Sequence, residues 1–279
     1  MVDVKHVESR SGLVRCGFWL LQSVRIGLAG CAFIGFGGGA FLLSWLVLPI
    51  VSVLTRGDER RLRRCQRIVQ AAFALFHDGM RVAGLVDFDP RAPRIAPPAG
   101  PFVLVANHPT LVDISALVSA FGPMCYLAKR PLFSNPLIGP LLRFCGQIPG
   151  GGSTFADNVG VVQQAVDRLR RGHSVLLFPE GTRSPAGGMH PFRRGAFEIA
   201  RQAGVPVVPV VIRAEPPGLY RGLAWYEIPK RAIVIEIEVL SAIPAGTAAS
   251  ALAFEAIHGG LTHAPRGDAA CEALSSSPA

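Results

Sequence analysis

The fold of this protein is indicated by the stretch Phe102-Val103-Leu104-Val105-Ala106-Asn107-His108-Pro109-Thr110-Leu111-Val112-Asp113. Its first five residues form the short apolar run that is typical of a buried β-strand. The polar turn that follows leads into residues 111–121, whose apolar positions have helical spacing. A strand that passes directly into a helix is the repeating unit of α/β proteins.

The same order recurs along the chain. Further strands are predicted at 124–128, 174–178, 207–212 and 233–239, and further helices at 136–144, 158–171 and 195–203. This alternation predicts an α/β fold with a single, mostly parallel sheet flanked by helices. Ligands of such sheets gather beyond the carboxyl ends of the strands, where the turn 107–110 lies.

An apolar segment precedes this domain. Residues 27–55 contain no charged side chain, and roughly 20 apolar residues are enough to cross a bilayer. The segment predicts an N-terminal membrane anchor, either one helix or a helical hairpin that turns near Gly37-Gly38-Gly39. Basic residues flank it on both sides, which by the positive-inside rule suits a re-entrant pair with both ends cytoplasmic about as well as a single crossing. The main domain is expected on the cytoplasmic side of an inner or cytoplasmic membrane.

The chain is therefore divided into an anchoring segment 1–57, a main domain 58–244 and a partly disordered tail 245–279, which is rich in Ala, Gly, Ser and Pro. A short helix is predicted at 252–257 within the tail. Helical spacing also predicts a helix at 60–82 with arginines on one face. This helix either lies along lipid head groups or covers the globular domain, since long arginine side chains suit both settings.

The net charge of +9 and the pI near 9.9 favour an anionic partner. Because the basic residues flank an apolar segment and no aromatic-basic recognition module is present, membrane lipid is predicted as the partner and nucleic acid is not. The six cysteines form no C-x-x-C pair. They are interpreted as reduced core thiols, and no metal site is predicted.

The polar turn carries candidate chemistry. Histidine is suited to accept a proton at neutral pH, so His108 is a candidate general base. Asp113 could hold its imidazole in the correct tautomer and stabilise the imidazolium that forms. The alternative is structural, with Thr110 as the N-cap of the following helix and Asp113 as its capping-box partner.

A second run, Phe178-Pro179-Glu180-Gly181-Thr182-Arg183-Ser184, follows another predicted strand. It places an acid, a glycine and a guanidinium in one tight loop, and arginine binds phosphate in a bidentate manner. The alternative is a simple salt bridge between Glu180 and Arg183. A third run, Phe192-Arg193-Arg194-Gly195-Ala196-Phe197, could extend an anion site.

Together these runs resemble the lysophospholipid acyltransferase family, also called the PlsC-like phospholipid/glycerol acyltransferases. The resemblance covers about residues 81–211. It rests on four ordered motifs, which are N-H-x-x-x-x-D at 107–113, F-P-E-G-T-R-S at 178–184, F-R-R-G-A-F at 192–197 and A-G-V-P-V-V-P-V at 203–210.

The resemblance implies that residues 58–244 form an acyltransferase domain. The implied reaction moves a fatty acyl group from acyl-CoA or acyl carrier protein to a hydroxyl of a lysophospholipid, such as 1-acylglycerol-3-phosphate, or a related lipid precursor, without metal or bound cofactor. His108 and Asp113 are implied as base and orienter. Seven further residues are expected to contact substrate: Glu180, Gly181, Thr182, Arg183, Lys129, Arg193 and Arg194.

One departure from the family pattern concerns its second motif, which usually ends in an arginine that helps to hold the acceptor phosphate. Here the stretch is Gly146-Gln147-Ile148-Pro149-Gly150-Gly151-Gly152-Ser153, without arginine. The identity of the acyl acceptor is therefore left open. The alternative to an enzyme is a non-catalytic lipid-binding or membrane-scaffolding protein that retains the fold. The sequence does not indicate an oligomeric state.

Overall fold

The computed structural model describes residues 4–90, 98–150, 155–185, 188–220 and 222–262, with side chains left undescribed at 4–20 and 155–157. Its strands are β1 (Val86–Asp87), β2 (Val103–Ala106), β3 (Cys125–Lys129), β4 (Ile148–Gly150), β5 (Val175–Leu177), β6 (Val207–Glu215) and β7 (Ile233–Val239). Its α-helices are α1 (Val4–Leu42), α2 (Leu48–Leu54), α3 (Asp58–Val82), α4 (Asp113–Phe121), α5 (Gly139–Phe144), α6 (Phe155–Arg170), α7 (Gly195–Ala203) and α8 (Ala249–Thr262). A π-helical turn (Leu43–Val47) joins α1 to α2, and a 3₁₀ turn (Arg130–Ser134) follows β3.

The described strands form one seven-stranded sheet in the order β1-β7-β6-β2-β5-β3-β4. Neighbouring strands are parallel except β6 and β7, which pair antiparallel from Val210↔Val239 to Glu215↔Val234. The predicted mostly parallel sheet is confirmed. Because β2 lies between β6 and β5, the loops that follow β2 and β5 emerge side by side.

Both faces of the sheet are covered, as a parallel sheet requires. Along β2, Leu104 and Ala106 pack into one hydrophobic core with helices α3 and α4, while Val103 and Val105 pack into a second core with α6, α7 and α8. All four side chains have no exposed surface. This strand is therefore continuously apolar, rather than alternating, because each face has its own core.

Several predicted elements are found nearly where the sequence placed them. The bounds of α7 and β7 match, and α4 begins two residues later than predicted, at Asp113. Helix α3 buries Cys65, Val69 and Met80 against the domain, which supports the second interpretation of 60–82. Helix α8 is longer than the predicted 252–257 and buries Ala253 and Ile257. The three-part division of the chain stays a prediction, and residues 263–279 of the tail lie outside the described residues.

The apolar segment is a helix rather than a hairpin. The helix runs through Gly37-Gly38-Gly39 without a turn and is interrupted only by the π-helical turn before Pro49. The alternative of a hairpin at these glycines is therefore wrong, since a helix keeps its backbone hydrogen bonds despite glycine's low propensity. In the described part of the chain, Leu21–Leu54 is the one helix long and apolar enough to cross a membrane.

One face of this apolar helix lies on the folded domain. Gln22 donates to the Ile228 carbonyl at 2.9 Å, and Trp45 donates from its indole nitrogen to the Pro136 carbonyl at 2.8 Å. These two contacts are about 35 Å apart along a helix. The opposite face is bare and apolar, with Ile34 76% exposed and Val53 84% exposed.

His77 makes the stability of the domain depend on pH. Its side chain has no exposed surface, its Nε2 lies 2.9 Å from the Ser115 hydroxyl, and its Nδ1 has no hydrogen-bond partner among the described residues. Burial lowers the pKa of His77 to about 4, against a weaker opposing effect of Asp78. The unfolded chain therefore binds a proton between about pH 6.5 and 4 that the folded chain does not.

We expect this residue to lower the free energy of unfolding by about 2 kcal/mol between pH 7.5 and pH 5. Urea unfolding in a neutral detergent at both pH values measures the loss. In His77→Gln, which retains a hydrogen-bonding group toward Ser115, the pH-dependent loss should shrink by that amount. An equal loss in both proteins would assign the pH dependence to other groups.

Candidate active site

The N-H-x-x-x-x-D run at 107–113 and the F-P-E-G-T-R-S run at 178–184 lie side by side at the carboxyl ends of β2 and β5. Asn107, the first residue after β2, donates its side-chain amide to the Ile212 carbonyl at 2.8 Å and accepts the Ile212 amide at 2.7 Å. It is buried, and these two bonds attach the end of β2 to β6. The backbone that carries His108 is thereby fixed to the sheet.

His108 and Asp113 form a hydrogen-bonded pair, as the sequence predicted. The His108 Nδ1 atom lies 2.7 Å from Asp113 Oδ2, the histidine side chain is 17% exposed and the carboxylate is fully buried. A carboxylate accepts, so we assign the proton to Nδ1, which leaves Nε2 as the basic nitrogen. Nε2 has no hydrogen-bond partner among the described residues.

Thr110 holds the carboxylate in place. Its backbone N–H donates to Asp113 Oδ2 at 2.7 Å, and its hydroxyl donates to Asp113 Oδ1. The predicted capping box is wrong in its positions, because α4 begins at Asp113 and its N-cap is Val112 rather than Thr110. The carboxylate instead holds the turn before α4 through Thr110 and orients His108.

Phe178 determines the plane of the His108 ring. The two rings stack with their centroids 3.9 Å apart and an interplanar angle of 15°. Phe178 directly follows β5, so this contact joins the two motifs through their side chains. Stacking fixes the orientation of the imidazole, since hydrogen bonding through Nδ1 alone leaves the ring free to rotate about that bond.

Glu180 joins the same loops through the backbone. Its Oε1 accepts the His108 N–H at 3.2 Å and the Ser184 hydroxyl at 2.5 Å, and its Oε2 accepts the His190 N–H at 2.7 Å. Ser184 also bonds His108 directly, through Oγ at 2.9 Å and through its own N–H at 2.8 Å. The Glu180 side chain is buried, and the alternative salt bridge to Arg183 is not formed.

Arg183 is held from a different part of the chain. Its Nη1 donates to the Leu219 carbonyl at 3.2 Å, and the same carbonyl accepts the Leu111 N–H at 3.2 Å. Leu219 adopts a left-handed backbone with φ of 59°, which turns its carbonyl toward both donors. The remaining guanidinium N–H groups of the half-buried Arg183 are in a position to bind an anion.

The other residues that are predicted to contact substrate differ in how close they lie to this loop and in how exposed they are. Arg193 lies against Gly181, and its N–H donates to the Pro179 carbonyl at 2.8 Å. Arg194 is exposed at the start of α7, and Lys129 is exposed at the carboxyl end of β3. Thr182 is half-buried within the loop. Their contacts with substrate stay predictions.

Replacing Gly181 by alanine tests the geometry of this loop. Gly181 has a φ of +71°, and an added Cβ would lie 2.9 Å from Cζ of Arg193. Left-handed backbone costs a non-glycine residue about 1–2 kcal/mol, so we expect at least that loss in the free energy of unfolding. Urea unfolding measures it, and Gly160→Ala, in a helix with open space around it, is the control that should not lose stability.

The double variant Gly181→Ala/Arg193→Ala separates the strain of the left-handed backbone from the steric contact between the added Cβ and Arg193. It removes the contact with Arg193 and keeps the backbone strain, so it should recover only the steric part of the loss. A Gly181→Ala protein as stable as the parent would contradict the described loop conformation.

The cysteines agree in part with the prediction of core thiols. Cys65, Cys125 and Cys145 are buried and free, and burial raises the pKa of Cys125 and of Cys145. Cys31 is instead exposed on the apolar helix. The side chain of Cys16 and the whole of Cys271 lie outside the described residues, among which no group of metal-ligating side chains occurs.

The second family motif is only partly described. Ile148–Gly150 forms β4, which pairs with β3 in parallel with Lys129 opposite Gly150. The rest of this stretch, Gly151-Gly152-Ser153, lies outside the described residues.

Comparisons with known proteins agree with this geometry. A family model described as Acyltransferase matches residues 87–213. A chloroplastic 1-acyl-sn-glycerol-3-phosphate acyltransferase of Brassica napus is 37% identical over 112 residues, which are 40% of this chain and 33% of that protein. The alpha form of the mouse enzyme is 30% identical over 179 residues, covering 63% of this chain and 60% of its own. The chain thus spans about a third to three fifths of these relatives.

A solved structure has the same fold. The crystal structure of the 1-acyl-sn-glycerophosphate (LPA) acyltransferase PlsC from Thermotoga maritima superposes with a TM-score of 0.59 at 20% identity, covering 95% of this chain and 99% of that one. The residues that the family model matches include both His108/Asp113 and Glu180/Arg183. This match, the relatives and the shared fold together support a PlsC-like acyltransferase family for the chain.

Proposed function

We propose that this protein is a membrane-associated O-acyltransferase that moves a fatty acyl group from a thioester donor to a hydroxyl of a lysophospholipid. The observation that carries the proposal is the 2.7 Å bond between His108 Nδ1 and the buried Asp113 carboxylate, which leaves Nε2 unpartnered among the described side chains. The 1-acyl-sn-glycerol-3-phosphate acyltransferases among its relatives support a phosphorylated lysolipid as acceptor.

In the proposed reaction, His108 Nε2 removes the proton of the acceptor hydroxyl as its oxygen attacks the thioester carbonyl. The imidazolium that forms is stabilised by Asp113 through Nδ1–H. The tetrahedral intermediate then breaks its C–S bond, and the imidazolium returns the proton to the departing thiolate. The thioester supplies the activated acyl group, so we propose that no bound cofactor is required and that acyl-CoA or acyl carrier protein is the co-substrate.

Arg183 is proposed to bind the phosphate of the acceptor. One of its N–H groups is committed to the Leu219 carbonyl at 3.2 Å, which fixes the guanidinium while other donors stay free for a bidentate contact. Arg193, against Gly181 in the same loop, adds a second positive charge near the phosphate. These two arginines are proposed to replace the one that the second motif lacks.

Membrane association is proposed through the apolar helix. Its inner face lies on the domain from Gln22 to Trp45, while its outer face exposes Ile34 and Val53. A helix attached along this length brings the flank of the domain to the lipid, where the acceptor resides. The cytoplasmic side is proposed for the main domain because the flank that leads into it is the more basic one, with six arginines at 56–67 against four Lys or Arg at 1–26.

The experiment uses purified protein in neutral detergent, labelled acyl-CoA or acyl-carrier protein, and a panel of acceptors with and without a phosphate monoester. Formation of an acylated lipid supports the proposal. Arg183→Gln should raise KM for 1-acylglycerol-3-phosphate about tenfold or more, as expected for a lost charge-assisted hydrogen bond, and leave KM unchanged for acceptors that lack the phosphate.

Two results would overturn the proposal. Release of free fatty acid with water as the favoured acceptor would make the protein a thioesterase. Lipid binding without turnover for any donor and acceptor would identify the non-catalytic lipid-binding alternative.

A further inference from the structure

A second polar cavity lies between the apolar helix and the folded domain. Its volume is about 800 Å³. One wall comes from Trp45, Pro49 and Ser52, and the other comes from α3, α5 and the end of α6. It is lined by Gly146, which precedes β4, and by Arg171, which precedes β5, so it lies toward the amino ends of these strands. His108 and Arg183 follow the carboxyl ends of their strands, at the other end of the sheet.

The cavity has an excess of positive charge. Four arginines and two acids line it, and each acid already has a partner. Asp58 lies 2.5 Å from a guanidinium nitrogen of Arg61, and Glu59 lies 2.5 Å from His173 Nε2 and 4.0 Å from a guanidinium nitrogen of Arg171. The two others, Arg143 and Arg168, form no ion pair with any carboxylate in the part of the chain that the structure describes.

Arg168 is placed for anion binding by its contact with Gly146. A Cβ added to Gly146 would lie 3.2 Å from Nη2 and 3.3 Å from Cζ of Arg168, and the glycine has a φ of +61°. The guanidinium therefore rests on the bare backbone, and it donates no hydrogen bond to a described residue. A supported guanidinium with unused donors matches the geometry of a phosphate.

A structural explanation accounts for only part of this arrangement. Arg143 and Arg168 lie in the last turns of α5 and α6, where positive charge stabilises a helix. That effect does not require two helix ends to direct their arginines into one cavity. It also does not explain why the facing wall is the apolar helix.

The apolar helix indicates the source of the anion. Trp45, Pro49 and Ser52 line the cavity at helical spacing, and the adjoining positions Leu46 and Ile50 are 53% and 50% exposed. A headgroup in the cavity would therefore have an exposed apolar stripe beside it for its acyl chains. The tryptophan and the arginines are the residue types expected at the level of lipid head groups.

We propose that this cavity binds the phosphate of an anionic membrane phospholipid, through Arg143 and Arg168. The site is separate from the acceptor site and does not rest on the proposed reaction. Its expected role is to hold the domain at an anionic membrane surface with the apolar helix beside the lipid chains.

Binding of a phosphatidylmethanol with a fluorophore on one acyl chain tests the proposal, because this lipid has an anionic phosphodiester and no free hydroxyl to acylate. Fluorescence anisotropy in neutral-detergent micelles gives the dissociation constant for the full chain. We expect binding at least tenfold tighter than that of phosphatidylcholine with the same labelled chain. Arg168→Gln should weaken binding at least tenfold.

Two further variants make the result specific. Arg143→Gln, at an exposed position whose side chain contacts the Phe133 carbonyl, should also weaken binding and serves if Arg168→Gln fails to fold. Arg67→Gln removes an exposed arginine of α3 that does not line the cavity, and it should change the constant less than twofold.

Three outcomes would overturn the proposal. They are equal affinity for the two lipids, equal loss in Arg67→Gln and Arg168→Gln, and displacement of the lipid by inorganic phosphate or CoA at equal concentration. The first two would indicate a diffuse electrostatic attraction between the basic protein and anionic lipid. The third would indicate a site for a soluble anion. Because the readout is binding, none of them bears on whether the protein transfers acyl groups.

Discussion

Replacing His108 by alanine is expected to lower kcat for acyl transfer by about 10³-fold, because a positioned general base contributes roughly 10²- to 10⁴-fold. The fold should survive, since the side chain is 17% exposed and its loss leaves Asp113 bonded to Thr110. Initial rates with a labelled thioester and a lysolipid measure the effect. Replacement of the exposed His258 of α8 by alanine is the matched control and should retain full activity.

Asp113→Asn is expected to lose less, about 10²-fold, for a reason specific to this site. The Asp113 Oδ2 atom accepts both the His108 Nδ1–H and the Thr110 N–H. An asparagine satisfies both donors only with its carbonyl oxygen at that position, and its amide then faces the Thr110 hydroxyl, which is able to accept. The tautomer of His108 is preserved, and only the negative charge that stabilises the imidazolium is lost.

The informative result is therefore which variant, His108→Ala or Asp113→Asn, loses more of its kcat. Unchanged turnover in both would reject the dyad. A larger loss in Asp113→Asn than in His108→Ala would mean that Thr110 does not fix the amide, so that the asparagine turns and presents its nitrogen to His108.

Much of this site follows from local sequence, because its main parts are short. His108 and Asp113 are five positions apart and span one turn, so spacing alone brings them together once a strand and a helix flank them. The strand β7 and the helix α7 were predictable for the same reason, since their apolar patterns repeat within a few residues. The bonds of Ser184 to His108 cross 76 positions of chain, so local spacing does not predict them.

The parts that sequence did not predict depend on distant residues or on context. Leu219 carries no local signal, yet its carbonyl holds Arg183 across 36 positions. Strand β4 contains Pro149, which argues against a strand except at a sheet edge, and β4 is one of the two edge strands. The glycines of the apolar helix suggested a turn, but the helix continues through them.

Replacing Glu180 by glutamine should produce the second large effect, and it distinguishes two roles for this residue. The carboxylate is 2% exposed and accepts from the N–H groups of His108 and His190 and from the Ser184 hydroxyl. A glutamine has one carbonyl oxygen and one amide, so in either orientation one backbone N–H faces another donor. Leaving a buried donor unsatisfied costs about 1–3 kcal/mol, which urea unfolding measures, with the exposed Glu255→Gln of α8 as control.

The kinetics of Glu180→Gln separate an internal role from contact with the acceptor. If Glu180 acts only by holding the His108 backbone, kcat falls while KM for the acceptor stays near its parent value, and a displacement of about 1 Å corresponds to roughly 10²-fold. If the carboxylate binds the acceptor, as the family resemblance implies, KM for the acceptor rises instead. The three internal hydrogen bonds and the burial of the side chain lead us to expect the fall in kcat. In Asp113→Asn the Thr110 N–H and the His108 ring N–H keep their acceptor, and only the Thr110 hydroxyl proton loses its own. In Glu180→Gln a backbone N–H faces another donor, so the glutamine variant should be the less stable of the two although each exchanges one carboxylate for an amide.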